Sequence, residues 1–217
     1  MFKDKKNIFL AILAIIILAG IVVFCIKGLN YNLLYGKNTS IVIDFSKYVD
    51  TNEVEKIVKQ TIENNVKVRT INETNNYILI TVKEISDEQK TNLITKLNEK
   101  YELELTDKDL EITRNAQIEL VDMIKPYIAP SVISIMLIAI YFVIAYRKCG
   151  IGKVILETLG SILISEATLF SIYAIARIPV NSLTMPISVI LFVIVIISLM
   201  EKFRKLETKI KENQKKK

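Results

Sequence analysis

The chain of 217 residues is 51% hydrophobic and 24% charged, with 29 Lys/Arg against 23 Asp/Glu, a formal net charge of +6 and no histidine. Apolar and charged residues fall in separate blocks, which excludes an ordinary soluble domain and points to an α-helical polytopic membrane protein. The lack of histidine removes the commonest proton shuttle and transition-metal ligand. No binding motif accompanies the positive charge, so nucleic acid is not an expected partner.

The N-terminal segment 1–7 carries Lys3, Lys5 and Lys6, and 8–26 is the first of four apolar runs. Each run is close to the ~20 residues that cross a hydrocarbon core as a helix. The first is longer than a signal-peptide core and lacks a small-residue cleavage site, so it reads as a retained anchor.

Residues 27–125 form a polar insertion with alternating strand and helix signals. "SIVIDF" (40–45) is β-rich. "DTNEVEKIVKQTIENN" opens with Asp50 and Glu53 at capping-box spacing and places Val54, Ile57, Val58 and Ile62 on one helical face. "VKVRTI" (66–71) and "YILITV" (77–82) flank the turn cluster "NETNN" and read as a hairpin. "SDEQKTNLITKLNEKY" has Ser86 as a cap and Leu93, Ile94 and Leu97 as a stripe, and a last strand falls within "YELELTDKDLEITR". The order βαββαβ predicts an α+β ferredoxin-like domain.

The second apolar run covers 126–146, with Pro126 and Pro130 expected as boundary markers at its entry. A basic loop, 147–153, holds Arg147, Lys148 and Lys153; the third run is 154–176, followed by a short link at 177–182 and the fourth run at 183–200. The tail 201–217 carries eight Lys/Arg against three Glu. The positive-inside rule therefore places both termini in the cytoplasm and 27–125 outside. Cys25 and Cys149 then lie near opposite faces of the membrane and do not pair. The basic segments also favour the lipid surface.

Glu166 lies about 13 residues past Lys153, roughly 20 Å along a helix and past the middle of the bilayer. A carboxylate there must face the bundle. Two readings stand: a proton-coupling group, or a packing hydrogen bond to a hydroxyl on a neighbouring helix. Ser161, Ser165, Thr168 and Ser171 add a polar stripe, and Gly160 offers a point of close helix approach. Glu157, one turn from the cytoplasmic end, has two expected outcomes: snorkelling to the surface, or pairing with Lys153 four residues earlier. No nucleophile–base pair, metal cluster or cofactor motif is visible, so an enzyme is not expected.

Several segments resemble the SecF family of bacterial export proteins. "KGLN" after the first membrane helix matches a Gly-Leu-Asn element at Gly28, Leu29 and Asn30, with Gly36 retained from the glycine-containing element that follows. "IAIYFVIAYRKCGIGKVI" and "ILISEATLFSIYAIARIPVNSLTMPISVIL" resemble the family's later helices. Ser165–Glu166 stands where relatives carry His-Asp, and Val180–Asn181 stands in the loop. "MEKFRKLE" resembles a charged family element through Glu201, Lys202 and Arg204. The chain departs from the family in having four apolar runs instead of six. Its fourth run, "ISVILFVIVIISLM", has only Ser188 and Ser198 where relatives carry an Asn-Asp pair. SecD and the wider RND transporter group share much of this helix pattern.

The resemblance implies a multi-pass protein of the bacterial plasma membrane, associated with a SecD-like subunit and the Sec channel. It would assist a translocating polypeptide, with Glu166 and Ser165 as intramembrane coupling residues. A membrane-anchored sensor or a scaffold is the alternative.

Overall fold

The computed structural model describes residues 2–62, 65–72 and 76–215. It divides into a membrane unit, Met1–Asn30 with Leu120–Lys217, and a second unit, Tyr31–Glu119. Residues 73–75 of the expected turn cluster lie outside the described residues.

In the Tyr31–Glu119 unit, β1 (Asn38–Asp44), β2 (Lys67–Thr70), β3 (Tyr77–Val82) and β4 (Leu110–Asn115) form one sheet in the order β2-β3-β1-β4. Every neighbouring pair is antiparallel. Ile41 sits opposite Ile80 on one side and Ile112 on the other, and Ile43 opposite Ile78 and Leu110. Side chains alternate across a strand, so this register gathers the isoleucines on one face. There they meet Val54 and Val58 of α2 (Thr51–Thr61) and Leu93 and Leu97 of α3 (Asp87–Tyr101), all fully buried. The opposite face carries exposed Lys67, Arg69, Glu111 and Thr113.

The two helix starts differ. Ser86 and Gln89 form a reciprocal capping box, with Gln89 N–H donating to Ser86 Oγ at 3.2 Å and Ser86 N–H to Gln89 Oε1 at 3.0 Å. Asp50 caps α2 by accepting from Asn52 N–H at 2.8 Å. Glu53 does not complete a box there; its carboxylate turns to Lys100 on α3, 3.6 Å away. Ile80→Ala removes a fully buried side chain from the middle of the core and should cost about 2–5 kcal/mol. Amide hydrogen exchange of β1 and β3 in the full chain measures it, as faster exchange of both strands.

The membrane unit contains α1 (Phe2–Lys27), α4 (Leu120–Ala145), α5 (Ile151–Ile175) and α6 (Thr184–Lys215). Each is long and apolar enough to cross a bilayer. Their outer faces expose Ile, Leu and Val along their length, as a lipid-facing surface requires. This is a multi-pass membrane protein.

Two boundaries differ from the sequence expectation. Helix α4 begins at Leu120, so Pro126 and Pro130 lie inside it. Each lacks the N–H that would bond the carbonyl four residues back. Helix α6 continues without a break to Lys215, into the segment expected as a separate tail (201–217), whose last two residues lie outside the described residues. Glu and Lys are good helix formers, and the ion pairs Glu201–Lys205 (2.6 Å) and Glu207–Lys211 (3.0 Å) have the favourable acid-first spacing.

Helix α5 is the centre of the unit and packs against α1, α4 and α6. In its most apolar stretch 28% of residues are buried, against 6% in each of the other three helices. Its contact with α1 is set by Gly20, where an added Cβ would fall 2.3 Å from Ser171 Cβ. The helices meet almost backbone to side chain, a small-residue approach of the kind membrane helices use. Gly160, the point offered by the sequence, faces open space. The small residue that admits a neighbour is on α1 instead.

Gly20→Ala should weaken this crossing by about 1–3 kcal/mol through overpacking, read as a lower melting temperature in detergent. Combining it with Ser171→Gly clears the Ser171 Cβ and Oγ but leaves its Cα 2.5 Å from the added Cβ, so it should recover only part of the loss.

Candidate functional site

Glu166 projects from α5 toward α6. The Ser188 hydroxyl donates to its Oε2 at 2.7 Å. Its Oε1 is buried and has no hydrogen-bond partner among the described residues. Buried polar atoms are nearly always satisfied, so an unsatisfied carboxylate oxygen inside a membrane bundle marks a functional candidate.

Two cavities meet at the Glu166–Ser188 pair. The larger, about 390 Å³, is lined by Leu29, residues of the first half of α4 including Tyr127 and Ser131, Phe170 and Tyr173 of α5, and Val180 and Thr184. The smaller, about 280 Å³, extends along α4 past Pro130 and Ser134 to Phe192 of α6. Both are mainly apolar, with hydroxyls near the carboxylate.

Ser165 is not brought to this cavity. Its hydroxyl donates to the Ile162 carbonyl at 2.8 Å. With Ser161 and Thr168 it lines a different groove, shared with Phe9 and Leu13 of α1 and Val195 of α6. Successive residues on a helix do not face each other, so Ser165 and Glu166 turn to different neighbours. Ser171 belongs to the α1 contact, with its hydroxyl bonded to the Ala167 carbonyl at 2.8 Å. The stripe read from the sequence as one polar face is thus divided between two surroundings, and Glu166 has a third.

Most of the loop positions picked out in the sequence do converge, at the end of the larger cavity. Gly28 ends α1 with φ +59, a conformation that glycine adopts at no steric cost. Its carbonyl accepts from Arg177 Nη1 at 2.6 Å. Asn30 Nδ2 donates to the Arg177 carbonyl at 2.9 Å, and the Val180 N–H donates to the Asn30 carbonyl at 2.8 Å. The exit of α1 and the α5–α6 link are clasped by these bonds. Leu29 and Val180 turn into the larger cavity and close that end. Asn181 caps the entry to α6, with Oδ1 accepting from Leu183 N–H at 2.8 Å. Gly36 belongs to the other unit, in a turn where its N–H donates to the Asn32 carbonyl at 2.9 Å.

Glu201 and Arg204 are not part of this site. They lie on exposed positions of the far half of α6, and Glu201 pairs with Lys205. The residues that anchor α6 there are their neighbours. Lys202 Nζ lies 2.7 Å from Glu157 Oε2, so Glu157 forms an ion pair with α6 and not with Lys153 on its own helix. Phe203 is fully buried against Phe142 and Tyr146, with ring centroids 5.6 and 5.4 Å away. Sequence reasoning placed Lys202 only in a charged family element and missed its pairing with Glu157 and the burial of Phe203, because the apolar run was ended at 200. The 4-then-3 spacing of Leu199, Phe203 and Leu206 carried the signal that the packed helix goes on.

A solved structure shares this architecture: a crystal structure of SecDF in a super-membrane-facing form. It superposes with a TM-score of 0.53 at 15% sequence identity, covering 91% of this chain and 26% of the SecDF chain. The chain has a SecDF-like fold. It spans about a quarter of the length of that SecDF chain. No family model matches the chain, and no curated protein does.

Asn30→Ala removes the side-chain donor of the clasp and leaves the Arg177 carbonyl without it. The cost should be about 1–3 kcal/mol, seen as a lower melting temperature and as faster protease cleavage in the 177–183 link.

Proposed function

We propose that this chain is a SecF-like accessory subunit of the Sec protein-export machinery. It lies in the bacterial plasma membrane with both termini in the cytoplasm. The observation that carries the reading is the SecDF-like fold over 91% of the chain, together with the clasp formed by residues that the sequence resemblance had picked out, Gly28, Asn30 and Val180. The partners on this reading are a SecD-like subunit, the Sec channel and the translocating polypeptide. The role is not enzymatic.

The Tyr31–Glu119 unit is read as a ferredoxin-like domain on the outer side, from its β2-β3-β1-β4 order and its two helices on one face. There it would meet the emerging polypeptide. The relation to the RND group rests on the same helix pattern.

Glu166 is the coupling residue on this reading. Its carboxylate, bonded through one oxygen to Ser188, lies between α5 and α6, where a shift of these helices would change its surroundings. Ser188, in place of Ser165, is its partner hydroxyl.

Two measurements test the proposal. Mild-detergent purification of the tagged chain should bring down SecD and the channel; an isolated chain speaks against it. Glu166→Gln should insert normally yet slow export of a slowly translocated reporter several-fold. Unchanged export would leave Glu166 a packing residue.

A further inference from the structure

The groove that Ser165 shares with α1 and α6 has a volume of about 570 Å³. Its walls are mainly apolar side chains, among them Leu13, Ile164, Leu191 and Val195. Ser165, Thr168 and Ser198 donate their hydroxyls to carbonyls of their own helices, so these groups need nothing from an occupant. From Leu191 to Lys202, both in its lining, α6 rises about 16 Å at 1.5 Å per residue. That is close to half of a ~30 Å hydrocarbon core, the depth of one leaflet. At Lys202 the groove meets a second recess on α6, lined by Glu201 and by Lys202, Lys205 and Lys209; Ser198 and Lys202 belong to both. Residues three and four apart share a helix face, so the lysines form one stripe. Glu157 pairs with Lys202 and Glu201 with Lys205, so three cations meet two anions and one positive charge is left over.

We propose that the α1–α5–α6 groove is a site for an anionic phospholipid, with one acyl chain along α5 and the headgroup phosphate on the Lys202–Lys205–Lys209 face. An apolar channel of leaflet depth that ends on a net positive stripe matches the two halves of such a lipid. Lysine ammonium groups donate to phosphate oxygens, and each basic group at a membrane surface adds attraction for anionic headgroups. The Lys202–Glu157 pair fixes the mouth of the groove, and Lys205 and Lys209 supply the selecting charge. A zwitterionic lipid fits the same walls and lacks the net negative charge that the stripe selects.

The proposal goes beyond the export reading and does not depend on it, because the assay reads lipid contact and not translocation. The full-length chain is placed in phosphatidylcholine nanodiscs that contain a minor fraction of a photoreactive lipid. This is either phosphatidylglycerol or phosphatidylcholine with a diazirine midway along one acyl chain. After illumination, labelled peptides are quantified by mass spectrometry. Val132 and Leu137 of α4, exposed and outside the groove, serve as the reference for lipid in general. Phosphatidylglycerol should label the groove segments of α5 and α6 at least about threefold more than phosphatidylcholine does, the scale of one unbalanced surface charge, with near-equal labelling of α4. Lys205→Gln combined with Lys209→Gln should bring the phosphatidylglycerol label down to the phosphatidylcholine level and leave the latter unchanged. Excess inorganic phosphate should not displace the label, since it has no chain to place in the groove. Equal labelling of the groove by the two lipids in the unaltered protein overturns the proposal by itself and marks general solvation by lipid. A preference that the double variant keeps overturns it as well. Displacement by phosphate would assign the lysine stripe to a free anion and overturn the lipid site.

Discussion

Lipid offers no hydrogen bonds, and the membrane unit is organised around that fact. Polar atoms in a hydrocarbon layer must be satisfied by the protein itself, and α5 carries more of them than any neighbour. Thr158, Ser165, Thr168 and Ser171 each return their hydroxyl to a carbonyl three or four residues back. The two carboxylates have no such local solution. Glu157 reaches Lys202 and Glu166 reaches Ser188, both on α6. The helix with these polar groups to place becomes the centre of the bundle, with α1, α4 and α6 packed on it, while Leu156 and Leu163 keep one of its faces outward.

This arrangement ties α6 to the rest of the unit at both ends. At one end the α5–α6 link is clasped to the exit of α1 through backbone carbonyls of Gly28, Asn30 and Arg177. At the other, Phe142, Tyr146 and Phe203 form a buried aromatic cluster beside the Glu157–Lys202 pair. Between these anchors lie the cavities at Glu166, along the stretch of α4 that contains Pro126 and Pro130. Space next to a carboxylate persists because the ends of α6 are fixed by contacts that do not involve it.

The Tyr31–Glu119 unit builds its own core. Its isoleucines, valines and leucines interlock between one sheet face and two helices; the unit has no cysteine and, among the described residues, no metal-ligand cluster. Asp87, Glu88, Glu102 and Glu104 are exposed, and Glu53 is used in an ion pair with α3 instead of a helix cap. A fold stabilised by its own packing, with a polar second sheet face, is compatible with a recognition role.

The sequence by itself determined the elements. Apolar runs of bilayer length, the strand alternation around Ile41, Ile43, Ile78 and Ile80, and the helical spacing of Val54 and Val58 or Leu93 and Leu97 are local signals, because burial on one face imposes a period that neighbours in the chain must obey. The same logic singled out Glu166 as a carboxylate that lipid will not accept. Only the tertiary structure decided the pairings. Ser188 and not Ser165 joins Glu166; Lys202 and not Lys153 joins Glu157; Gly20 and not Gly160 admits the neighbouring helix. Each choice depends on the rotation of one helix against another, which is set by the fit of two surfaces distant in the chain. A period along one segment cannot contain that information, and so the site's members were visible while their partners were not.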